Sequence, residues 1–272
     1  MKVEIVGVVT KKHSAFNSDF ADLSPLCLQY GIPFLRTDDI NSSDSLNRIR
    51  KLSPDIIFCF GWSQLIKKDI LNIAELGVIG FHPAALPQNR GRHPLIWALA
   101  LGLEQSASTF FFMDSGADSG DILSQKAFRI LYEDKASTLY EKVTATALKQ
   151  IEEFVPQLQQ RTFSRFPQDH TKANVWRKRG IPDGKIDFRM SSRAIYNLVR
   201  ALDEPYPGAH IEYKGKRITV RAVREISFGQ NNIEPGKILE IKGNIFTVKI
   251  YNGAIDVCEH EFDPLPCRGE YL

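Results

Sequence analysis

The sequence predicts an α/β domain built on a parallel sheet, followed by a small all-β barrel or sandwich. Three observations predict it. Apolar runs of strand length alternate with helical spacing through the first 160 residues. Periodicity then weakens across 161–192. After residue 204, short strands follow one another between Gly208, Gly215, Gly236, Gly243 and Gly253. The expected boundaries are an α/β domain at 1–160, a linker and short helix at 161–203, and a small β-barrel at 204–272.

Residues 2–10 (KVEIVGVVT) are β-branched and read as a strand. Phe20, Leu23, Leu26 and Leu28 space a helix over 18–30. GIPFLRT is a short strand entered through Gly31 and Pro33, and 42–52 is a helix with a serine cap. PDIIFCFGW (54–62) is nearly all apolar, as a strand covered on both faces must be. SQLIKKDILNI is amphipathic, GVIGFH (77–82) is a second buried strand, and 94–102 is helical. SASTFFFMD (106–114) reads as a strand, 137–160 as a long helix and 191–202 as a short one.

Composition narrows the class. Hydrophobic residues make up 43% and charged residues 25%, with a net charge of +3, too small to imply nucleic-acid binding. Cys27, Cys59, Cys258 and Cys267 include no Cys-x-x-Cys pair, which argues against a zinc site or disulfide framework and suits a reducing cytoplasm. The start is too short and interrupted for a signal peptide. No apolar run reaches the roughly 18 residues that span a bilayer, so no membrane partner is expected.

Ligands of open α/β sheets bind beyond the carboxyl ends of strands. Three such ends carry polar groups here: Gly61-Trp62-Ser63-Gln64, His82, and MDSGADSGD (113–121). A histidine at a strand tip beside an acidic loop suits acid–base chemistry. The same residues also fit a strand cap and a plain turn. A calcium loop lacks the twelve-residue frame with its closing Glu, and no Gly-x-Gly-x-x-Gly follows the first strand.

FHPAALPQNRGRHPLIWAL followed by TFFFMDSGADSGDI resembles the formyltransferases that use 10-formyltetrahydrofolate. RKRGIPDGKIDF and IYNLVRALDEPYPGAHIEYKGKRI resemble the linker and barrel start of methionyl-tRNA and nucleotide-sugar formyltransferases. The resemblance implies a Rossmann-like catalytic domain with a mostly parallel sheet and an OB-like C-terminal barrel. It implies 10-formyltetrahydrofolate as co-substrate and no metal. His82 and Asp118 match the catalytic histidine and aspartate. Phe60, Gly61 and Trp62, with the main chain around Leu86, Met113 and Asp114, match the folate pocket. Arg92 matches a substrate-side arginine and Arg90 the family's Arg-Gly pair, with Ser63 beside them on the substrate side.

Two departures stand out. The family's catalytic asparagine, two residues before the histidine, is Gly80 here. Gln64 is the expected replacement, with Ser63 beside it and Asn89 a weaker candidate. The family also opens with a strand and a Gly-containing turn ahead of the Val-Val-Thr strand. This chain begins at what resembles the second strand, so the sheet either lacks that unit or the start codon is placed elsewhere.

Formyl transfer to an amine passes through an oxyanion and needs a donor aimed at it and a group to manage the amine proton. His82 suits the first role, and Asp118 orients it, raises its basicity and assists the proton. A neutral amine must attack, so activity falls at acidic pH. His13, His93, His170, His210 and His260 lack ligand spacing and read as structural or surface residues.

Residues 193–272 hold eleven Lys/Arg and eleven Asp/Glu, so the barrel is formally neutral, against methionyl-tRNA and nucleic acid generally. Eight Lys/Arg against three Asp/Glu in 161–192 suit either a diphosphate or a solvated loop. The favoured acceptor is a nucleotide-linked 4-amino-deoxysugar of bacterial surface glycans. Trp97 or Tyr196 could stack on its base or belong to the core. The alternatives are methionyl-tRNA and an inactive folate-binding module. Related sugar enzymes make a homodimer through the barrel an expectation.

Overall fold

A computed structural model describes residues 3–13, 20–62 and 64–272. In chain order the elements are β1 (Val8–Thr10), α1 (Ser24–Gln29), β2 (Phe34–Arg36), α2 (Ser43–Lys51), β3 (Ile57–Cys59), α3 (Lys68–Leu71) and β4 (Val78–His82). Then come β5 (Arg90–Gly91), α4 (Pro94–Ala100), β6 (Gln105–Phe112), β7 (Ile122–Arg129), α5 (Ala136–Gln160) and β8 (Val175–Trp176). The chain ends with α6 (Ser192–Ala201), β9 (Ala209–Tyr213), β10 (Lys216–Ile226), β11 (Ile238–Lys242), β12 (Ile245–Ile250) and β13 (Gly253–His260). These fall into two compact units. The first takes Met1–Gly91, Ala107–Phe128 and Val143–Val175; the second takes Arg92–Ser106, Arg129–Lys142 and Trp176–Leu272.

In the first unit β1 runs parallel to β2 and β3 parallel to β4, with Cys59 opposite Gly80. A four-stranded sheet has the order β3-β4-β6-β7, and β6 is antiparallel to β4, with His82 opposite Thr109. The expected helix over 18–30 is the shorter α1, and residues 14–19 lie outside the described residues. Of the expected first strand, Val8–Thr10 is paired. The serine cap of α2 is Ser42, whose hydroxyl accepts the Ser45 N–H at 3.2 Å. β7 escaped the sequence pattern because Ser124, Gln125 and Lys126 interrupt its apolar positions.

One core cluster joins Ile79, Phe110, Phe112 and Leu123 of the sheet to Phe154, Val155 and Leu158 of α5. Burying each such side chain contributes about 1.5–3 kcal/mol, and this anchors the strand that ends in His82. A second cluster packs Ile40, Ile49, Ile66 and Ile70, with Cys59, Trp62 and Met113 against it. Burial pushes the Cys59 thiol up to about 11. Iodoacetamide at pH 8 should therefore label exposed Cys267 and leave Cys59 unmodified in the native chain, as peptide mass spectrometry would show. Early labelling of Cys59 would contradict its raised thiol.

In the second unit α4 packs on α6, and α6 on β10. The C-terminal strands form an antiparallel sheet ordered β11-β12-β13-β10-β9. Phe246, Val248, Ile255 and Val257 are wholly buried in it. Among the described residues no pairing joins β11 to β9, so the order observed is that of an antiparallel sheet.

Asp134 anchors the turn before α5. It is 4% exposed and accepts bonds from the Lys142 ammonium at 2.5 Å, the Leu131 N–H at 2.6 Å and the Thr138 hydroxyl at 3.1 Å. Arg200 closes the same turn by donating to the Leu131, Tyr132 and Asp134 carbonyls. Burial raises the Asp134 carboxyl, but the bonds from Lys142, Leu131 and Thr138 outweigh it and hold the group below its ordinary 3.8. A depressed carboxyl stabilises the fold above its unfolded value, and that support is lost as pH falls through the folded one. Asp134→Asn should cost about 1–3 kcal/mol near pH 7, read by urea unfolding. The gap to the parent should close below pH 3.8. A pH-independent difference would show that the charge is not what matters.

Candidate active site

The tip of β4 delivers His82 at 5% exposure, opposite Thr109 of β6. The Thr109 hydroxyl donates to the Ala84 carbonyl at 2.6 Å, and the Gln125 amide donates to the Leu86 carbonyl at 2.9 Å and to Thr109 at 3.0 Å. These bonds fold residues 84–86 back over the sheet end. The His82 ring meets Asn89, whose carbonyl lies 2.7 Å from Nε2. A carbonyl can only accept, so Nε2 carries a proton, and in the neutral form of the ring Nδ1 is the nitrogen that keeps a lone pair. Nδ1 stands 3.7 Å from Asp118 Oδ2. That same oxygen accepts the Gly91 N–H at 2.9 Å, which orients the carboxylate.

Asp118 reaches this place through a tight loop between β6 and β7. Asp114 Oδ1 accepts the Gly116 N–H at 2.9 Å and the Ser119 hydroxyl at 2.6 Å. A Cβ at Gly120 would sit 1.8 Å from the Phe112 carbonyl, so only glycine allows the close approach. Asp118 itself has a φ of +53°, a strained value for a residue with a side chain. His82 and Asp118, expected from sequence as a pair, are thus brought together.

The missing amide has a physical counterpart. A Cβ on Gly80 would lie 2.8 and 2.9 Å from ring carbons of Phe111 and 3.0 Å from Met113 Cγ. Apolar atoms fill the place where a side chain at position 80 would begin. Gln64, the expected substitute, is engaged elsewhere. Its Nε2 donates to the Asp38 carbonyl at 2.7 Å and its Oε1 accepts the Ile40 N–H at 3.3 Å. Ser63 lies outside the described residues. Asn89 does reach the histidine, through its backbone carbonyl.

The expected folate wall is in part free to bind. Phe60 is 48% exposed, edge-on to Phe81 and Phe110. Gly61 follows in the left-handed region, and the Trp62 indole N–H is buried with no partner. Other parts are already used: the Met113 N–H donates to the Val78 carbonyl, and the Leu86 carbonyl accepts from Gln125. Among the described residues no group of three or more His, Cys, Asp or Glu could hold a metal, and no helix is long and apolar enough to cross a membrane.

Arg90 differs from its expected substrate contact. It is 8% exposed, and its Nη2 donates to Gln168 Oε1 at 2.6 Å and His170 Nδ1 at 3.0 Å. Burial has made it an internal strut. Arg92 belongs to the second unit, is exposed, and donates its N–H to the Trp176 carbonyl. The basic run proves largely neutralised. Arg161 binds Glu75, Lys172 binds Asp169, Arg177 binds Asp183, Lys185 binds Glu212 and Arg189 binds Asp187. Trp97 donates its indole N–H to the Arg177 carbonyl beneath the Arg179 guanidinium, and Tyr196 stacks on Tyr132 at 4.5 Å. Sequence reasoning missed Gln168, Asn174, Thr109 and Gln125, since nothing in their local pattern marks them.

Comparison with known proteins agrees with this architecture. The HypX of Aquifex aeolicus, in complex with tetrahydrofolic acid, is similar at a TM-score of 0.68 and 17% identity. The match covers 93% of this chain and 43% of that one, so the chain spans less than half of HypX. An N-formyltransferase from Helicobacter canadensis, in complex with folinic acid and dTDP-3-aminofucose, is similar at 0.69 and 16% identity over 93% and 88%. A sugar N-formyltransferase from Shewanella sp FDAARGOS_354 reaches 0.61 and 20% over 72% and 79%. At these identities the likeness is one of fold. The family model described as formyl transferase matches residues 1–155, and that described as formyl transferase, C-terminal domain, matches 182–264. With more than half of its length matched by the first model alone, the chain belongs to the formyl transferase family.

Proposed function

We propose that this protein transfers a formyl group from 10-formyltetrahydrofolate to the amino group of a nucleotide-linked amino-deoxysugar. The observation that carries the reading is the His82–Asp118 pair, with Nε2 fixed as a donor to Asn89 and Nδ1 facing the carboxylate, in a chain of this family. An exposed aromatic ring and a buried indole N–H without an acceptor, side by side at Phe60 and Trp62, fit a flat heterocycle with ring nitrogens and a carbonyl. When bound, the folate supplies the formyl carbon and the departing nitrogen.

The chain's own groups then handle the protons. Asn89 keeps the Nε2 proton in place, so Nδ1 is the nitrogen that takes the proton shed by the attacking amine. The Asp118 carboxylate faces the cation so formed, and Gly91 keeps that carboxylate in position. Nδ1 returns its proton to the departing nitrogen, which restores the neutral ring. Support for a nucleotide sugar comes from the Helicobacter enzyme's dTDP-3-aminofucose and from a formally neutral C-terminal domain, which disfavours tRNA. The filled position at Gly80 favours a second reading, a folate-binding module without turnover.

The test is mass spectrometry after incubation with 10-formyltetrahydrofolate and UDP-, dTDP-, GDP- or CMP-linked 3- and 4-amino sugars, with methionyl-tRNA alongside. One formyl group on one nucleotide sugar would establish the reading. Product on methionyl-tRNA alone would overturn the acceptor. Folate binding with no product on any acceptor would favour the inactive module.

A further inference from the structure

Residues 166–174 lie between the two matched family models and were expected to be a linker. In the structure they belong to the first unit and bind both loops that carry the site. Phe166 exchanges backbone bonds with Ile122, at 2.8 and 2.9 Å, just past the acidic loop. Gln168, 7% exposed, donates its amide to the Asp118 carbonyl at 3.0 Å and the Gly120 carbonyl at 2.7 Å, while its Oε1 accepts from Arg90. Asn174 Oδ1 accepts the Asn89 N–H at 2.8 Å, and its carbonyl accepts the Arg90 N–H at 3.1 Å.

The two residues so held share a property. Asn89 has a φ of +63° and Asp118 one of +53°, both in the left-handed region that side chains disfavour. Both also set the geometry of His82. Asn89 provides the carbonyl that fixes the Nε2 proton, and Asp118 provides the carboxylate opposite Nδ1. Strained backbone persists only where its surroundings hold it.

We propose that Gln168 and Asn174 are positioning residues for formyl transfer, a strap that keeps Asp118 and Asn89 in left-handed conformations on either side of His82. This rests on the formyl-transfer reading above. Without the Gln168 amide the loop at 118–120 relaxes towards ordinary φ values and draws the carboxylate away from Nδ1. Without the Asn174 oxygen, the Asn89 carbonyl releases the ring and both tautomers become populated.

Two readouts on the full chain test the strap. Gln168→Ala should lower kcat by about 10–100-fold, as ångström-scale misplacement of reacting groups does, with both KM values within about threefold. Gln168→Glu keeps an acceptor for Arg90 but loses both donors, and should lose as much. Asn174→Ala should lower kcat similarly, and Asn174→Asp, which retains an acceptor for Asn89, should recover most of the loss. Hydrogen exchange in the protein alone should quicken at 114–121 in Gln168→Ala and at 86–91 in Asn174→Ala. Unchanged kcat in both alanine variants of an active parent would overturn the proposal. If the parent formylates no acceptor, the functional reading fails separately, and unchanged exchange at both loops would then refute the strap by itself.

Discussion

Asp118→Asn is expected to lower kcat by about 10²–10³-fold and His82→Ala by at least as much, with both proteins folded. The asparagine is a clean probe. Its carbonyl can still accept the Gly91 N–H, so the loop keeps its anchor while the charge opposite Nδ1 disappears. What is lost, on the proposed mechanism, is the partner of the imidazolium that forms as the amine gives up its proton. The size follows from removing a preorganised electrostatic partner of a reacting group. His82→Ala removes the proposed base and leaves the Asn89 carbonyl without its donor, so a modest fall in Tm should accompany the loss of turnover. Steady-state kinetics on the formylated acceptor, with circular dichroism to confirm the fold, would check both. A rate within threefold of the parent in Asp118→Asn would remove the aspartate from the mechanism.

Restoring the family's amide should fail. Gly80→Asn is expected to destabilise the protein by about 1–3 kcal/mol and to raise turnover not at all. The Cβ alone meets two Phe111 ring carbons below 3.0 Å and Met113 Cγ at 3.0 Å, before any amide is placed. Neither neighbour yields easily. Phe111 is 2% exposed and directly opposite Gly80 in the β4–β6 register, and Met113 packs against the Ile40–Ile70 cluster while its N–H is tied to Val78. An interior of ordinary density cannot take three more heavy atoms there without strain. Adding Phe111→Leu should return much of the lost stability by opening room beside the strand. Thermal melts of the single and double variants would decide it. Gly80→Asn at full stability would show that the pocket adapts, and higher turnover would show that the amide was needed.

Much of this was legible in the sequence. Strand and helix order followed from apolar periodicity, since burial on one or two faces leaves a mark at spacings of two or 3.6 residues. The pairing of His82 with Asp118 followed from two motifs at strand ends, where chain direction already places side chains near one another. The vacancy at Gly80 was visible too. What replaced its side chain was not, because Phe111 and Gly80 are opposed only by the antiparallel register of β6 on β4. Gln64 read well as a substitute by its place at a strand tip, yet its amide has nearer partners in Asp38 and Ile40. Basic residues in 161–192 suggested a phosphate site, and their charge is mostly met by carboxylates brought close in space, some far away in sequence. The sequence by itself determined the order of elements, the family and the two residues, His82 and Asp118, that meet at the strand end. Only the tertiary structure decided which imidazole nitrogen meets the Asn89 carbonyl, what fills the missing amide's place, and that Gln168 and Asn174 bind the loops on either side of His82. The Gln168 and Asn174 contacts with those loops reach across 48 to 85 residues of chain, and they carry no local periodicity from which to read them.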